Sequence, residues 1–221
     1  MTNWKEIYQS KLTTAEEAIK LINDGDKVVT GFGCGEPFAI ERALVDNYQN
    51  YHDVQIVNML TLGDSPWCRP EMKGHFTLNC LFASQSNRKA ISLGVSEFTT
   101  SHFYEIPDLI KNYIRPRVTI VMVSPPDEHG YVSFGTTVDY TRGTADYCDI
   151  KIAQVNKYMP RTFGNSFMHI RDFTCFVEHD EPLPEVKAVE ISDTEMEIGK
   201  YCASLINDGD CLQLGIGGIP N

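Results

Sequence analysis

The sequence predicts an open, mostly parallel α/β sheet flanked by helices. Three observations point there. Short runs rich in branched apolar residues, such as Ile120-Val121-Met122-Val123 and Ile150-Lys151-Ile152-Ala153, read as buried strands. Segments of helical pattern separate such runs, and that alternation favours parallel pairing. Glycine-rich loops come after two of the strand-like segments, at 31–35 and 215–219.

Near the N-terminus, Thr13-Thr14-Ala15-Glu16-Glu17 offers overlapping capping boxes, Thr13 with Glu16 and Thr14 with Glu17. A helix through Ala18, Ile19, Leu21 and Ile22 stops at Asn23-Asp24-Gly25-Asp26, where Gly25 suits a left-handed cap. Lys27-Val28-Val29-Thr30 is a buried strand opening into Gly31-Phe32-Gly33-Cys34-Gly35-Glu36-Pro37. A helix over 38–47 carries Ile40, Leu44 and Val45 on one face. Further strands are expected at 54–60, 78–82, 117–123, 149–155 and 174–177, and helices at 87–93, 106–113 and 139–147.

The run Pro182-Leu183-Pro184-Glu185-Val186-Lys187 reads as an interdomain linker. Beyond it, Leu21-Ile22-Asn23-Asp24-Gly25-Asp26 recurs identically as Leu205-Ile206-Asn207-Asp208-Gly209-Asp210. Each copy has a helical pattern before it and an apolar, glycine-ended segment after it. Two related α/β domains are expected, residues 1–186 and the opening of a second at 187–221. Residues 211–214 read as a strand with no helix behind it, so the sequence is expected to be part of a longer chain.

Composition narrows the function. With 19 Lys and Arg against 30 Asp and Glu, the formal net charge is −11. That argues against nucleic acid and against an anionic membrane surface, which need clustered cations. No apolar run reaches the length of a membrane span, and the first residues lack a signal-peptide pattern. A cytoplasmic protein is expected. Its seven cysteines are scattered and never in C-x-x-C spacing, which favours free thiols over a disulfide framework or zinc site. No metal is expected.

Four segments carry candidate chemistry. The loop 31–37 lies between a strand and a helix, so its backbone N–H groups suit an anionic ligand, and Glu36 is its one carboxylate. It has neither a Walker Gly-Lys-Ser/Thr nor G-x-G-x-x-G spacing, and a plain strand-to-helix turn explains it equally well. Gly215-Ile216-Gly217-Gly218-Ile219-Pro220 offers adjacent N–H groups to a thioester carbonyl or its oxyanion, or is again only a turn. Asp127, Glu128 and His129 sit in a Pro-Pro and glycine turn and read as part of a structural hairpin rather than a metal site. Arg161 suits a carboxylate or phosphate partner, or a plain salt bridge.

Taken together, the segments resemble one family. The resemblance rests on Trp4-Lys5-Glu6-Ile7-Tyr8, Gly35-Glu36-Pro37, Val123-Ser124-Pro125-Pro126-Asp127, Gly130-Tyr131, Phe134-Gly135 and Asp139-Tyr140-Thr141. It continues in Met159-Pro160-Arg161-Thr162, Asn165-Ser166-Phe167-Met168-His169, Cys202-Ala203-Ser204-Leu205-Ile206 and Leu212-Gln213-Leu214-Gly215-Ile216-Gly217. These motifs resemble the acetyl-CoA hydrolase/transferase family and, within it, the 4-hydroxybutyrate CoA-transferases.

The resemblance implies the first of two repeated CoA-transferase domains and the start of the second. It implies ping-pong transfer of CoA from a short acyl-CoA to a carboxylate such as acetate, through a glutamyl-CoA thioester, with coenzyme A as substrate and no cofactor. The family's nucleophilic glutamate lies in a Ser-Glu-Met segment that this sequence does not contain. No catalytic nucleophile is therefore assigned in residues 1–221, and Glu36 belongs to another motif. The resemblance assigns Gly215, Ile216, Gly217, Gly218 and Ile219 to CoA, with Gln213 near the reacting carboxylate. Gly35, Glu36, Asn58 and Met59 are expected on the acyl side. Acyl-CoA and short carboxylates are the expected partners, in a homo-oligomer. An acetyl-CoA hydrolase and a butyryl-CoA:acetate transferase are the neighbouring readings, and a non-catalytic CoA- or nucleotide-binding module is the reading of another class.

Overall fold

The structure, a computed structural model, describes residues 3–185 and 190–215. The chain divides into two compact units, Met1–Pro184 and Glu185–Asn221.

In the first unit the strands are β1 (Lys27–Thr30), β2 (Val54–Asn58), β3 (Phe76–Cys80), β4 (Glu97–Phe98), β5 (Val118–Val123), β6 (Tyr131–Ser133), β7 (Ile150–Val155), β8 (Phe167–His169) and β9 (Cys175–Glu178). Seven form one parallel sheet in the order β4-β3-β2-β1-β5-β7-β9. The order runs outward in both directions from the β1–β5 pair. In such sheets ligands settle at the carboxyl ends of the strands where the order reverses. The expected open parallel α/β sheet is therefore the one observed.

The helices are α1 (Trp4–Lys11), α2 (Ala15–Ala18), α3 (Phe38–Asp46), α4 (Arg88–Ser92), α5 (Ile106–Leu109) and α6 (Tyr140–Tyr147). Thr14 caps α2 by accepting from the Glu17 N–H at 3.3 Å, while the Thr13 N–H bonds the Phe176 carbonyl, so the helix takes a simple Thr14 cap in place of the expected boxes. The central strands are buried on both faces. Val28, Ile56, Leu78, Ile120 and Ile152 join one core with Ile40 and Leu44 of α3. Val121, Val123, Ala153 and Phe176 join another with Phe134 and Ile170.

Four expectations need correction. The strand expected at 54–60 ends at Asn58, whose side chain turns to hold the neighbouring loop. The strand expected at 78–82 is Phe76–Cys80, drawn earlier by full pairing with β2. The hairpin expected after Val123 closes differently. Ser124 N–H does bond the Ser133 carbonyl, but β6 pairs antiparallel with β8, Tyr131 opposite His169.

The fourth concerns the second unit. It contains α7 (Asp193–Ala203), capped by Ser192 and Glu195 in a reciprocal box. Residues 211–215, expected to begin as a strand, form none, and Leu212 and Leu214 are exposed. A strand needs a hydrogen-bonded neighbour, and these residues have none among the described ones. Ile216, Gly217, Gly218 and Ile219 lie outside the described residues.

Candidate functional site

The loop after β1 and the loop after β2 meet at the carboxyl edge of the sheet, beside the reversal between β1 and β5. Backbone and side-chain bonds bring them together. The Gly33 N–H bonds the Leu60 carbonyl at 2.9 Å. The Asn58 amide donates to Thr30 Oγ1 at 2.8 Å and to the Gly31 carbonyl at 2.9 Å. Thr61 Oγ1 donates to Glu36 Oε2 at 2.8 Å. Gly35 packs so closely on Thr137 that a Cβ there would overlap the threonine side chain. That contact explains why the motif needs glycine at this position.

Tyr140, at the start of α6, stands behind both loops. Its hydroxyl donates to the Thr30 carbonyl at 3.1 Å and accepts from the Met59 N–H at 3.3 Å. Gly35, Glu36, Asn58 and Met59, named from the sequence, thus share one framework. Gln213 and Gly215 belong to the second unit and are exposed there.

Glu36 is buried, and so is Glu41 in the first turn of α3. Burial pushes the Glu36 carboxyl up to about 7, against hydrogen bonds from Thr61, Glu41 and the Leu62 backbone that favour its charge. The Glu41 carboxyl is pushed up further, first by burial, then by the charge of Glu36 and the hydrogen bond to it; the Thr30 hydroxyl and Arg42 oppose this. Two carboxylates this close in a dry site do not both ionise. Both carboxyls are therefore raised, and the pair holds a proton that burial favours on Glu41. Glu41 Oε1 receives no hydrogen bond from any donor among the described residues, as befits a carboxyl holding its own proton.

Sequence reasoning missed Glu41, Thr61 and Gln154. A signal for Glu41 was present: it stands three residues before Leu44 and four before Val45, within the buried stripe of α3. Gln154, fully buried on β7, accepts from the Ala39 N–H at 2.9 Å and donates to Glu181 at 3.0 Å, tying the start of α3 to the segment after β9.

Asp127 and Arg161 are structural. Asp127 accepts from the N–H groups of His129 and Tyr131 and from Arg161 at 2.8 Å. The Arg161 guanidinium also bonds the Tyr131 carbonyl and lies 4.9 Å from the Phe167 ring centre. Among the described residues no three His, Cys, Asp or Glu side chains converge as metal ligands, and all seven cysteines are free thiols.

A reversing parallel sheet whose carboxyl edge carries two interlocked loops and a buried carboxyl pair defines an open α/β domain with a candidate site at the place where such sheets take ligands. Comparison with known proteins gives it a family. Residues 1–187 match the acetyl-CoA hydrolase/transferase N-terminal domain, and the chain belongs to that family. It is 43% identical over 219 residues to the 4-hydroxybutyrate coenzyme A transferase of Clostridium kluyveri, covering 99% of this chain and 51% of that protein. It is 32% identical over 231 residues to the butyryl-CoA:acetate CoA-transferase of Anaerostipes caccae, covering 99% and 50%.

Among solved structures, RipA from Yersinia pestis superposes with a TM-score of 0.93 at 30% identity, over 99% of this chain and 54% of that one. A 4-hydroxybutyrate CoA-transferase from Porphyromonas gingivalis gives 0.83 at 37% identity, over 98% and 51%. The chain thus spans about half the length of the relatives it matches.

Proposed function

We propose that residues 1–221 supply the acyl-side half of a CoA-transferase, moving CoA between a short acyl-CoA and a carboxylate. The observation carrying this reading is the interlock of the 31–37 loop with residues 58–61 at the reversal of the sheet, within a domain of the acetyl-CoA hydrolase/transferase family. The greater identity to a 4-hydroxybutyrate enzyme favours 4-hydroxybutyryl-CoA as donor, with acetate as acceptor.

The reaction needs a carboxylate nucleophile. It attacks the acyl-CoA carbonyl, CoA thiolate leaves and an acyl-glutamyl anhydride forms. The thiolate then attacks the glutamyl carbonyl, releasing the acyl carboxylate and leaving a glutamyl-CoA thioester. The acceptor carboxylate reverses the two steps. No metal or organic cofactor enters, because the covalent carrier is a side chain. No residue of this sequence takes the nucleophile's role: Glu36 is buried and committed to Thr61 and Glu41. Gly35, Glu36, Asn58 and Met59 shape the acyl wall, with the Glu36 carboxyl buried within it. Gln213 stands near the reacting carboxylate, and the N–H groups of Gly215, Ile216, Gly217, Gly218 and Ile219 receive the thioester carbonyl of CoA.

The test is acetyl-CoA formation from 4-hydroxybutyryl-CoA and acetate, by the full-length protein that contains this sequence and by the 221-residue chain beside it. The full-length protein turns over and the shorter chain does not. In the full-length protein, Gly217→Val and Gly218→Val abolish turnover, because the added side chain fills the space where the thioester carbonyl meets the amides; being cut off from one such donor costs about 2.7–4 kcal/mol of transition-state stabilisation. Turnover by the 221-residue chain, free of longer contaminants, overturns the placement of the nucleophile.

A further inference from the structure

We propose that the first unit carries a second ligand site, for an organic polyphosphate of nucleotide size, at the end of the sheet opposite the candidate acyl wall. The site is a cavity of about 730 Å³ between α4 and the two short turns Pro66–Cys68 and Pro70–Met72. Its origin is a gap in the sheet. β4 pairs with β3 only at Asn79 and Cys80, so the edge at Phe76 and Thr77 has no strand beside it among the described residues. Both residues line the cavity.

Charge is what singles the cavity out. The chain has 30 acidic residues against 19 basic ones, yet the lining contains Arg69, Lys73 and Lys89 and no carboxylate. Lys73 and Lys89 form no ion pair among the described residues, and Arg69 has only Asp64 at 3.7 Å, itself exposed. Three cations lining one cavity with no carboxylate beside them suit an anion. The remainder of the lining is mostly apolar, with the hydroxyl residues Thr77 and Ser86 among it. Trp67 contributes from a buried position, and Leu93 and Val95 stand exposed at the rim although a plain surface would favour polar residues there. The volume lies within the range of small-molecule sites, and a lone inorganic anion would leave the apolar part unfilled. A polyphosphate meeting the cations and a flat or apolar body against Leu93, Val95 and Trp67 satisfies both parts. The other large groove, beside Arg142 and Arg171, contrasts with it: there Asp146 and Asp172 share the lining and Arg142 already pairs with Asp146.

The chain has two tryptophans, so Trp4→Phe leaves Trp67 as a reporter within the cavity. ADP is titrated into this chain while indole emission is monitored, with inorganic phosphate and hexanoate as parallel probes. The expected result is saturable binding of ADP at or below about 1 mM. Phosphate and hexanoate each bind at least tenfold more weakly. Lys73→Gln/Lys89→Gln, both surface changes, weakens ADP at least tenfold with an unchanged melting temperature. Raising the salt weakens ADP binding in the parent chain more than in the double variant. The proposal is overturned if ADP gives no saturable signal, if the double variant binds ADP as the parent does, or if phosphate alone binds as tightly as ADP. CoA-transferase turnover is not the readout, so the result is independent of the acyl-wall reading.

Discussion

The hexapeptide Leu-Ile-Asn-Asp-Gly-Asp occurs twice, and its two copies share a turn but not a fate. In the first, the Asn23 N–H donates to Asp26 Oδ2 at 2.7 Å, and the Asp26 N–H returns to the Asn23 carbonyl at 3.1 Å. In the second, Asn207 and Asp210 repeat both bonds at the same distances. Gly25 and Gly209 both take positive φ, +77° and +91°. The sequence therefore dictates the turn by itself. The segments after the two turns diverge. Lys27–Thr30 is clasped between β2 and β5, while residues 211–215 run without a strand partner. Strand formation belongs to the neighbours, and the turn belongs to the six residues.

The sharpest way to break this comparison is to remove the same side chain from each copy. Ile22 is 4% exposed and Ile206 is 44% exposed. Ile22→Ala is expected to lower the unfolding free energy of the 221-residue chain by about 2–5 kcal/mol. Ile206→Ala stays within roughly 0.5 kcal/mol. Denaturant melts of the two variants check this, and equal losses would mean that the copies are equally packed.

The aspartates come next. Asp26 accepts from the Asn23 N–H and from Arg117, whose Nε lies 2.8 Å away. Asp210 caps its own turn and is exposed. Asp26→Ala is expected to cost about 1.5–3 kcal/mol, the range for a hydrogen bond to a charged group, and Asp210→Ala almost nothing. Arg117→Met separates the two roles of Asp26: it removes the ion pair and keeps the turn.

The same contrast explains what the sequence disclosed. Caps and turns are local, so the stop at Asn23-Asp24-Gly25-Asp26 and the Thr14 cap are legible in a few letters. Long branched runs such as 118–123 are legible because burial on both faces demands them. The pairing of β6 with β8 is not, since Tyr131 and His169 are distant in the chain and neither segment names its partner. Residues 211–214 have the letters of a strand and lack only a partner, which letters do not record. In the site, Glu36 and Asn58 stand in recognisable motifs. Glu41 and Thr61 are recruited by the closure of two loops, and Gln154 by a strand three positions away from β2 in the sheet order.

The carboxyl pair sharpens the contrast through pH. The Glu41 carboxyl is raised in the folded state, so the wild-type chain has this contribution in full below the ordinary carboxylate range. The contribution is lost as pH rises toward the raised folded value. Glu41→Gln keeps a donor for Glu36 and never ionises. Its stability relative to wild type should therefore grow from pH 5 to pH 9, by roughly 1–3 kcal/mol, the scale of one desolvated polar group. The second hexapeptide has no such pair beside it among the described residues, and Ser204→Ala should show no pH-dependent difference. Parallel pH curves for Glu41→Gln and wild type would mean that Glu41 is not the proton holder.

The smallest effect tests the turn itself. No atom lies within 4 Å of a Cβ added at Gly25 or Gly209, so alanine there perturbs only the backbone. A left-handed conformation costs an ordinary residue about 1–2 kcal/mol, less for asparagine. Gly25→Ala is expected to lower the global unfolding free energy by that amount, and Gly25→Asn by less, because β1 must begin where the turn ends. Gly209→Ala carries the same local cost in a segment that has no strand. The global melt should not move, while the Asp210 amide loses its protection from hydrogen exchange as the bond to Asn207 opens. A global loss at Gly209 equal to that at Gly25 would show that the second turn is part of the same cooperative unit, and that the two copies differ less than their burial suggests.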